Sequence, residues 1–510
     1  MKHRITIEKF IRRLSEAGIL TMWDGDRDMV IEDIQYDSRK VGPKSLFLCK
    51  GATFEPSYIT KARENGATAY LAIRPFEEGD GLTAIIVSDI RLALAIAADV
   101  FFESPWKKLH MIGVTGTKGK STTVALLKDI FDAHAKKNGL PMAGLTSSAR
   151  IFDGKVDEPA KLTTPENIDL YRHLDNAVDS GIQTMIVEVS SQALKYHRVG
   201  CIHFDDVLFL NIAPDHIGDI EHPDFEDYFA SKRMIFDVAK RAFVCTKTDR
   251  LDDVLASAKK CALVTFAVEG RGDYTADAIT TTEAGMHFTL HHKDAAAQMG
   301  TAMRGRFNVE NALAASAIAL ENGVALATIQ EVLAQMHLAG HMVYRHSQDG
   351  VTVIIDYAHN DISFRKVIET AEIEYAGAPL WFVFGSAGSK AQSRRPDLGQ
   401  ISSRHAARIY LVPDDPAKEN VLDINKEISD HFVREVDFVS LADRETGIRD
   451  AILSAEAGTV ILLLGKGSET AQKGPQGPEA YAGDVPLAEK YLAIRDGEGA
   501  KASDFFADKA

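Results

Sequence analysis

The segment Met111–Thr123, which reads MIGVTGTKGKSTT, contains the residue types that bind a nucleotide phosphate. An apolar run enters a glycine-rich turn that ends in Gly119-Lys120-Ser121 and opens into a helical pattern, Thr122–Phe131. The backbone N–H groups of such a turn point at one small volume, to which Lys120 adds an ammonium group and Ser121 a hydroxyl that suits Mg²⁺. The alternative is a glycine-rich strand-to-helix turn with an exposed lysine.

Two polar clusters follow apolar strand patterns in the same part of the chain. Glu188 lies inside the apolar stretch TMIVEV, where a carboxylate is costly to bury unless it is paired or bound to a metal. A structural salt bridge is the alternative for this residue. The stretch Asn211–His216 comes directly after the strand pattern DVLFL, and His216 is a candidate metal ligand there.

Three more positions carry groups that could act on a substrate. Lys232 shares a helical face with Phe229 and Phe236, and the pattern alone favours a lysine that covers apolar surface with its stem. The cluster Asp356–Asn360 follows another apolar strand pattern. The adjacent arginines Arg394 and Arg395, in the stretch Ser393–Pro396, suit a carboxylate or phosphate through bidentate N–H donors. The alternative is a solvated pair of arginines on the surface.

The composition limits the classes of function. With 510 residues the chain is too long to fold around a single hydrophobic core. Its formal net charge of −15 argues against non-specific binding to nucleic acid. The four cysteines are scattered without C-x-x-C spacing, which indicates reduced thiols. The charged start, MKHRITIEKFIRRL, has no apolar signal core, and no run is long enough for a membrane span, so we expect a cytoplasmic protein.

The elements that would position these residues predict an α/β protein of three domains. A smaller N-terminal α/β domain is expected over residues 1–107, since Ser104-Pro105 breaks a helical pattern there. Residues 108–338 alternate apolar strands with helical stretches, which predicts a mostly parallel sheet of the phosphate-loop ATPase type with a β-rich insert at 262–303. Residues 339–510 repeat the alternation as a Rossmann-like domain, and ligands are expected at the carboxyl ends of the strands.

Eight motifs in one order resemble those of the Mur ligase family, over roughly residues 28–490. They are GVTGTKGKSTT, LTTPE, EVSSQAL, LNIAPDHIGDIEH, EDYFASKRMIF, GRFNVENALAA, DYAHN and GKGSE. The resemblance is strongest to the MurE branch, the UDP-N-acetylmuramoyl tripeptide synthetases of peptidoglycan synthesis. It implies a monomeric ligase in which ATP phosphorylates the carboxylate of a UDP-N-acetylmuramoyl dipeptide and an amino acid attacks the acyl phosphate.

The resemblance also implies roles for individual residues. Lys120, Glu188, His216 and Lys232 would be catalytic, with Mg²⁺ held by Ser121, Glu188, His216 and Lys232, the last as a carbamate (N6-carboxylysine). The implied ATP contacts are Gly116, Thr117, Lys118, Gly119, Lys120, Ser121, Thr122, Asn311, Asp356 and His359. The implied contacts to the UDP-linked substrate are Ser38, Thr163, Thr164, Ser190 and Arg198.

The stretch Asp414-Asp415-Pro416-Ala417 resembles the version found in the L-lysine-adding branch. The branch that adds meso-diaminopimelate has an arginine where Ala417 stands, and the bare ammonium of L-lysine prefers carboxylates. The implied amino-acid contacts are Arg395, Asp414, Asp415, Ala417, Gly465 and Glu469. L-ornithine, which is one methylene shorter, remains an alternative, as does a folylpolyglutamate synthetase-like ligase.

The chain departs from the family pattern at three places. His341 stands where the family has an arginine that contacts ATP, and Arg345 lies nearby in the sequence but outside the motif position. Gln192 and Ser468 each replace a histidine of the family. The two chemical steps require none of these residues.

Overall fold

The computed structural model describes residues 3–51, 54–215, 217–218, 221–282, 285–336, 342–389 and 392–497. Its strands form three main sheets, which follow one another along the chain, and helices cover them. The predicted α/β class is therefore confirmed. In the described part of the chain no helix is both long and apolar enough to cross a membrane.

The N-terminal sheet has five strands in the order β2-β7-β6-β5-β4. Its strands β4 to β7 pair in parallel, and only β2 runs antiparallel to its neighbour. Strands β1 and β3 form a separate antiparallel pair. The elements of this part are β1 Ile5–Thr6, α1 Ile7–Glu16, β2 Leu20–Asp24, β3 Val30–Ile31, β4 Asp33–Gln35, β5 Ser45–Leu48, α2 Ser57–Glu64, β6 Ala67–Ala72, β7 Thr83–Val87 and α3 Ile90–Phe101.

The central sheet has eleven strands in the order β11-β10-β9-β12-β8-β13-β14-β15-β16-β17-β18. The pairs from β9 to β16 are parallel, and the strands at both edges are antiparallel. The strands are β8 His110–Thr115, β9 Gly144–Thr146, β10 Arg150–Phe152, β11 Asp157–Pro159, β12 Thr184–Glu188, β13 Phe204–Phe209, β14 Ala239–Cys245, β15 Ala262–Val268, β16 Tyr274–Thr282, β17 Gly285–His292 and β18 Ala295–Thr301. The helices are α4 Lys120–Asn138, α5 Asn167–Asp179, α6 Ser191–Lys195, α7 Phe225–Arg233, α8 Leu251–Ser257, α9 Arg306–Glu321 and α10 Leu326–Gln335.

The C-terminal sheet has six strands in the order β19-β20-β24-β21-β22-β23, of which β19 alone pairs in the antiparallel sense. A short hairpin, β25-β26, follows it. The strands are β19 Val343–His346, β20 Thr352–Asp356, β21 Leu380–Phe384, β22 Arg408–Leu411, β23 Asp437–Ser440, β24 Val460–Leu464, β25 Ala471–Gly474 and β26 Gly477–Ala480. The helices are α11 Asp361–Glu374, α12 Arg394–His405, α13 Val421–Ser429, α14 Arg444–Ser454 and α15 Asp484–Arg495.

The apolar runs of the central strands form a sheet that is buried on both faces. In β8, Met111 packs into the apolar core on one face and Ile112 into the core on the other. The first of these cores also contains Ile85 of the N-terminal sheet, so the two sheets share apolar packing. Near-continuous apolar strands are expected where helices cover both faces of a parallel sheet.

The helical periodicity of the sequence over Phe225–Ala239 extends beyond the α-helix that forms there. The α-helix ends at Arg233, and Met234–Val238 form a 3₁₀ turn that leads into β14. The apolar residues of this turn, Ile235 and Phe236, are buried in the core of the central sheet. Tertiary packing of these two side chains therefore replaces the last helical turn that the sequence pattern favoured.

The four cysteines form no disulfide in the part of the chain that the structure describes. Cys49 and Cys245 are buried, whereas Cys201 and Cys261 are partly exposed. Burial raises the pKa of the Cys201 and Cys245 thiols to about 12, so these side chains are neutral. The expectation of reduced thiols is consistent with these positions.

A buried ion pair fixes the carboxyl ends of β22 and β24 in the C-terminal sheet. The guanidinium of Arg444 donates to both carboxylate oxygens of Asp484 at 2.8 and 2.6 Å, and neither side chain is more than 1% exposed. Arg444 also donates to the carbonyls of Pro413 and Leu464, at 3.3 and 3.0 Å. The loops that follow the two strands are therefore held at one point.

We predict that Asp484→Ala weakens the C-terminal sheet by about 3–5 kcal/mol, because it leaves the buried Arg444 without its counter-charge. The measurement is hydrogen exchange, by mass spectrometry, of peptides that contain β24, which gives the local free energy of opening. The matched control is Asp430→Ala, which removes an exposed i,i+4 partner of Lys426 and should change that free energy by less than about 0.5 kcal/mol. Equal effects of the two substitutions would contradict the prediction.

Candidate active site

The glycine-rich turn between β8 and α4 forms a compact loop whose backbone faces the first turn of the helix. Gly116 and Gly119 have φ angles of 154° and 86°, and a Cβ atom on Gly119 would lie 2.4 Å from Oδ1 of Asn311. The ammonium of Lys120 donates to the carbonyls of Gly116 and Thr117 at 2.9 and 3.3 Å. Because α4 is 19 residues long, its N-terminus adds a favourable field for an anion at this loop.

Asn211, the first residue of the polar cluster after β13, holds this loop in place. Its backbone carbonyl accepts from the N–H of Thr117 at 2.9 Å, and its side-chain oxygen accepts from the N–H of Lys118 at 2.8 Å. The hydroxyl of Thr117 accepts from the N–H of Ala213 at 3.1 Å and contacts the hydroxyl of Tyr228 at 3.0 Å. Sequence reasoning placed Asn211 in a polar cluster but gave it no role, and it did not single out Tyr228.

Ser121 and Glu188, which the family resemblance assigns to one Mg²⁺ site, lie together at the mouth of the loop. The Ser121 hydroxyl donates to Oε1 of Glu188 at 2.9 Å, and the N–H of Ser148 donates to Oε2 at 2.8 Å. Glu188 is only 1% exposed. A buried carboxylate beside a hydroxyl is a fitting oxygen donor set for Mg²⁺, so these residues are suited to hold that ion.

Lys232 is buried against the phosphate loop, where it does not cover surface with its stem. Its Nζ donates to the carbonyl of Gly116 at 2.8 Å and lies 4.9 Å from the centre of the Tyr228 ring. Burial lowers the pKa of this amine well below its usual range, and the nearby charge of Lys120 lowers it further. The amine of Lys232 therefore loses its proton more easily than that of an exposed lysine.

Asp215 connects the phosphate loop with the C-terminal sheet. Its carboxylate lies 3.1 Å from the ammonium of Lys118 and 3.2 Å from the guanidinium of Arg394, and the amide of Asn360 donates to it at 3.3 Å. Burial lowers the pKa of Lys118 to about 8, although Asp215 acts in the opposite direction. Lys118, a predicted ATP contact, is thus paired with a carboxylate from the same cluster as Asn211.

The two predicted ATP contacts from the C-terminal domain differ in their surroundings. Both carboxylate oxygens of Asp356 accept backbone N–H groups, from Met342 at 2.9 Å and from Ala358 at 2.8 Å. His359 donates from Nδ1 to the carbonyl of Tyr357 at 2.8 Å, which leaves Nε2 as an acceptor. Burial lowers the pKa of His359 to about 3, so its ring is neutral.

The predicted contacts to the dipeptide substrate lie around the end of β12. The hydroxyl of Thr164 donates to the carbonyl of Glu188 at 2.7 Å and accepts from the N–H of Ser190 at 3.0 Å. Arg198 donates to the carbonyl of Thr164 at 3.2 Å and pairs with Glu166 at 3.1 Å. Thr164, Ser190 and Arg198 are thus brought together beside Glu188.

The boundary with the N-terminal sheet lies next to this group. Lys50, which follows β5, pairs with Glu166 at 2.5 Å, so that this carboxylate binds cations from two different sheets. Ser38 is buried in a 3₁₀ turn, where its carbonyl accepts from Asn65 at 2.8 Å. Thr163 is partly buried next to Thr164.

The carboxylates predicted to receive an amino acid form one cluster at the ends of β22 and β24. Lys466 lies within it, 2.9 Å from Asp415, 2.5 Å from Glu469 and 3.9 Å from Asp414. Burial raises the pKa of Asp414 to about 6, against the opposing charges of Arg444 and Lys466. A Cβ atom on Gly465 would lie 3.2 Å from Oδ2 of Asp414, so only a hydrogen fits comfortably there.

Arg395 is not the exposed member of a surface pair. Its side chain is 1% exposed, and its guanidinium pairs with Glu419 at 2.8 Å and with Glu427 at 2.6 Å. Its Nε is buried without a hydrogen-bond partner. A substrate carboxylate would reach Arg395 only by replacing one of these glutamates, so the predicted contact requires a rearrangement.

Some sequence predictions fall outside the described residues or gain no support from them. His216 and His341 lie outside the described part of the chain. Arg345 pairs with Glu489 of α15 at 2.7 Å and therefore does not take the place of the family arginine. Among the described residues, no three His, Cys, Asp or Glu side chains are arranged to hold a metal ion.

Comparison with known proteins agrees with this geometry. Residues 114–319 match the model of the Mur ligase middle domain, and residues 341–467 match that of the Mur ligase glutamate ligase domain. A UDP-N-acetylmuramyl-tripeptide synthetase of Lactobacillus delbrueckii subsp. bulgaricus is 36% identical over 487 residues, which cover 91% of this chain and 93% of that protein.

Two further comparisons extend over almost the whole chain. A UDP-N-acetylmuramoyl-L-alanyl-D-glutamate--L-lysine ligase of Streptococcus pyogenes serotype M4 is 36% identical over 500 residues, 96% of this chain and 100% of that protein. The solved structure of a UDP-N-acetylmuramoyl-L-alanyl-D-glutamate--2,6-diaminopimelate ligase superimposes with a TM-score of 0.65 at 20% identity, covering 96% of this chain and 99% of that one. The chain belongs to the Mur ligase family.

Proposed function

We propose that this chain joins L-lysine to UDP-N-acetylmuramoyl-L-alanyl-D-glutamate at the expense of ATP. The γ-phosphoryl group of ATP passes to a free carboxylate of the D-glutamyl residue, which forms an acyl phosphate and releases ADP. The deprotonated α-amine of L-lysine then attacks the acyl carbon, loses a further proton as the amide forms, and inorganic phosphate leaves. Relatives of nearly full length that carry the names tripeptide synthetase and L-lysine ligase support this reaction.

We assign each of the three substrates to one of the three parts of the chain that contain the main sheets. Residues 1–107 would bind the uridine nucleotide through a site that includes Ser38, residues 108–338 would bind ATP, and residues 339–510 would bind the amino acid. Because the relatives are covered from end to end, an N-terminal nucleotide domain is favoured over a folylpolyglutamate synthetase-like arrangement. ATP and a nucleotide-linked substrate also favour a cytoplasmic location.

The phosphate loop lowers the repulsion between the two anions that must react. The carboxylate of the substrate and the γ-phosphate of ATP are both negative, and the ammonium groups of Lys118 and Lys120 lie on the loop where they would meet. Thr164, Ser190 and Arg198, beside Glu188, would orient the peptide carboxylate. His359, with its neutral ring, and the Asn311 amide would contact the nucleotide.

We infer that Ser121 and Glu188 hold Mg²⁺, which supplies charge neutralisation for the phosphates when it is bound. We also infer that Lys232 is carbamylated. In its unprotonated form the amine would attack the carbon of dissolved CO₂ and lose one proton, which gives a carbamate anion with two further oxygen donors beside the loop. The lowered pKa of Lys232 supports this step, because only an unprotonated amine reacts with CO₂.

The carboxylate cluster at the ends of β22 and β24 would determine the specificity for the amino acid. Asp414, Asp415 and Glu469 surround one ammonium group in this structure, that of Lys466, and Ala417 contributes no cation. A cluster that is negative overall attracts the side-chain ammonium of L-lysine and repels the distal carboxylate of meso-diaminopimelate. L-ornithine carries the same charge and is discriminated only by its length.

The amino-acid preference is tested by phosphate release with the UDP-linked dipeptide, ATP and a panel of amino acids. We expect kcat/KM for L-lysine to exceed that for meso-diaminopimelate by at least roughly 100-fold, because like charges would meet in the pocket. L-ornithine should fall below L-lysine by roughly 10- to 200-fold, the usual effect of one methylene. A higher kcat/KM for meso-diaminopimelate than for L-lysine would overturn the proposal.

The carbamate is tested with Lys232→Ala, which should lower kcat by about 100-fold or more and regain part of it with formate or acetate. In addition, the wild-type protein in ¹³C-bicarbonate should give a carbamate signal by ¹³C NMR that Lys232→Ala lacks. Lys240→Ala is the control, since Lys240 is 71% exposed and pairs with Asp205 at 2.7 Å. Loss of the signal in the control, or its survival in Lys232→Ala, would refute carbamylation.

The raised pKa of Asp414 predicts how the use of L-lysine depends on pH. Above about pH 6 the carboxylate is ionised and attracts the substrate ammonium, whereas below that pH it gains a proton and the attraction is lost. We expect kcat/KM for L-lysine to fall as the pH drops through 6. The same profile for 6-hydroxynorleucine, a neutral isostere, should lack this inflection, and an identical inflection for both substrates would exclude Asp414 as its source.

A further inference from the structure

The amino-acid cluster contains a cation that the sequence motifs did not explain. Lys466 follows β24, and its side chain is only 1% exposed. Its ammonium donates to Asp415 at 2.9 Å and to Glu469 at 2.5 Å, while Asp414 lies 3.9 Å away. The chain has therefore placed a lysine ammonium among the same carboxylates to which we assign the ammonium of the substrate.

Lys466 is charged and firmly held. Burial alone would lower the pKa of its ammonium, but the hydrogen bonds that the ammonium donates to Glu469 and Asp415 raise this pKa above the usual value. The backbone is fixed as well, because the N–H of Glu469 donates to the carbonyl of Lys466 at 2.9 Å. An ammonium in this position cannot leave without becoming a buried charge that lacks its partners.

The three carboxylates are used unequally. Asp415 binds Lys466 and also accepts from the backbone N–H of Lys473 in β25, at 3.0 Å. Glu469 is the second partner of Lys466. Asp414 is the carboxylate farthest from the ammonium of Lys466, and it lies next to the Cα atom of Gly465, where a Cβ atom would be crowded. The cluster therefore has two carboxylates paired with Lys466 and one that is buried beside them.

We propose that Lys466 is the resident counter-ion of the amino-acid pocket, which neutralises Asp415, positions Glu469 and leaves Asp414 to meet the side-chain ammonium of the substrate. The proposal depends on the assignment of this cluster to the incoming amino acid. Three carboxylates and one ammonium give a net charge of −2, so the pocket accepts one more cation. Without Lys466 one of the buried carboxylates would take up a proton or turn away, because like charges at this separation do not all remain ionised.

The opposite arrangement is that Lys466 occupies the site of the substrate and must be displaced. The two arrangements predict effects of opposite sign. Loss of a counter-ion lowers kcat/KM for L-lysine, whereas loss of a competitor raises it. The burial of Lys466 favours the counter-ion arrangement. If a substrate displaced its ammonium from these carboxylates, a buried charge would lose its partners.

The first experiment replaces Lys466 and supplies the missing cation from solution. In Lys466→Ala, kcat/KM for incorporation of L-lysine, measured from the mass of the product, should fall at least about 30-fold. Propylammonium, which matches the deleted part of the side chain, should restore it by at least about tenfold. The KM values for ATP and for the UDP-linked dipeptide should remain within about twofold, which a general loss of structure would not permit.

The second experiment removes the partner charge and does not depend on a cavity. In Lys466→Met the pocket keeps three carboxylates, whereas Lys466→Met combined with Asp415→Asn removes one charge of each sign. We expect the double variant to use L-lysine at least about tenfold better than Lys466→Met alone. Lys418→Ala is the control, because Lys418 is exposed four positions after Asp414, and it should behave as the wild-type protein.

Each outcome decides one question. An unchanged or increased kcat/KM for L-lysine in Lys466→Ala, inhibition by propylammonium, or a double variant no better than Lys466→Met would overturn the counter-ion. A wild-type protein that does not use L-lysine would instead overturn the proposed function. The two failures are distinguishable, because the second is seen before any substitution is made.

Discussion

The carbonyl oxygen of Gly116 accepts hydrogen bonds from two lysines, and the arrangement of the central site depends on this. Lys120 reaches it from the following helix at 2.9 Å, and Lys232 reaches it from α7 at 2.8 Å. Two ammonium groups on one oxygen repel each other, and burial together with the charge of Lys120 lowers the pKa of Lys232. The φ angle of Gly116, 154°, is what allows the loop to present its carbonyl in this direction.

The two lysines at this oxygen differ in their surroundings. Lys120 is the first residue of α4, whereas Lys232 is buried 4.9 Å from the centre of the Tyr228 ring, where burial lowers the pKa of its amine. Substituting Gly116 would also bring a Cβ atom to 2.9 Å from Leu210, so the loop is constrained from both sides.

The two halves of the site differ in the charges that they present. The phosphate loop carries the ammonium groups of Lys118 and Lys120, of which Lys118 is paired with Asp215. Around the ends of β22 and β24 the surplus is negative, from Asp414, Asp415 and Glu469, which suits an ammonium. The overall charge of −15 conceals this division, because a site is selected by the few groups that are buried with the ligand.

How much of this followed from the sequence depends on the range of the interactions. The α/β class and the gathering of polar residues at the carboxyl ends of strands were predictable from local patterns. The proximity of Ser121 and Glu188 was implied only by the family resemblance. The partners of Arg395 and the burial of Lys466 were not, because they depend on Glu419, Glu427 and Asp415, which reach these cations across separate loops. A local pattern records that a residue is charged but not which distant charge it meets. For the same reason the pattern around Lys232 did not predict its buried position, and only the family resemblance implied that this lysine is carbamylated.

Asp215 shows how the two halves are connected. Its carboxylate is shared by Lys118 of the phosphate loop and by Arg394 and Asn360 of the C-terminal sheet, so one anion holds cations that belong to different sheets. A polyphosphate bound at the loop carries more negative charge than Asp215 and competes with it for Lys118. Binding of the nucleotide and contact between the two sheets therefore draw on the same cations. The position of the C-terminal part of the chain relative to the phosphate loop therefore depends on the ion pairs of Asp215 as well as on apolar packing.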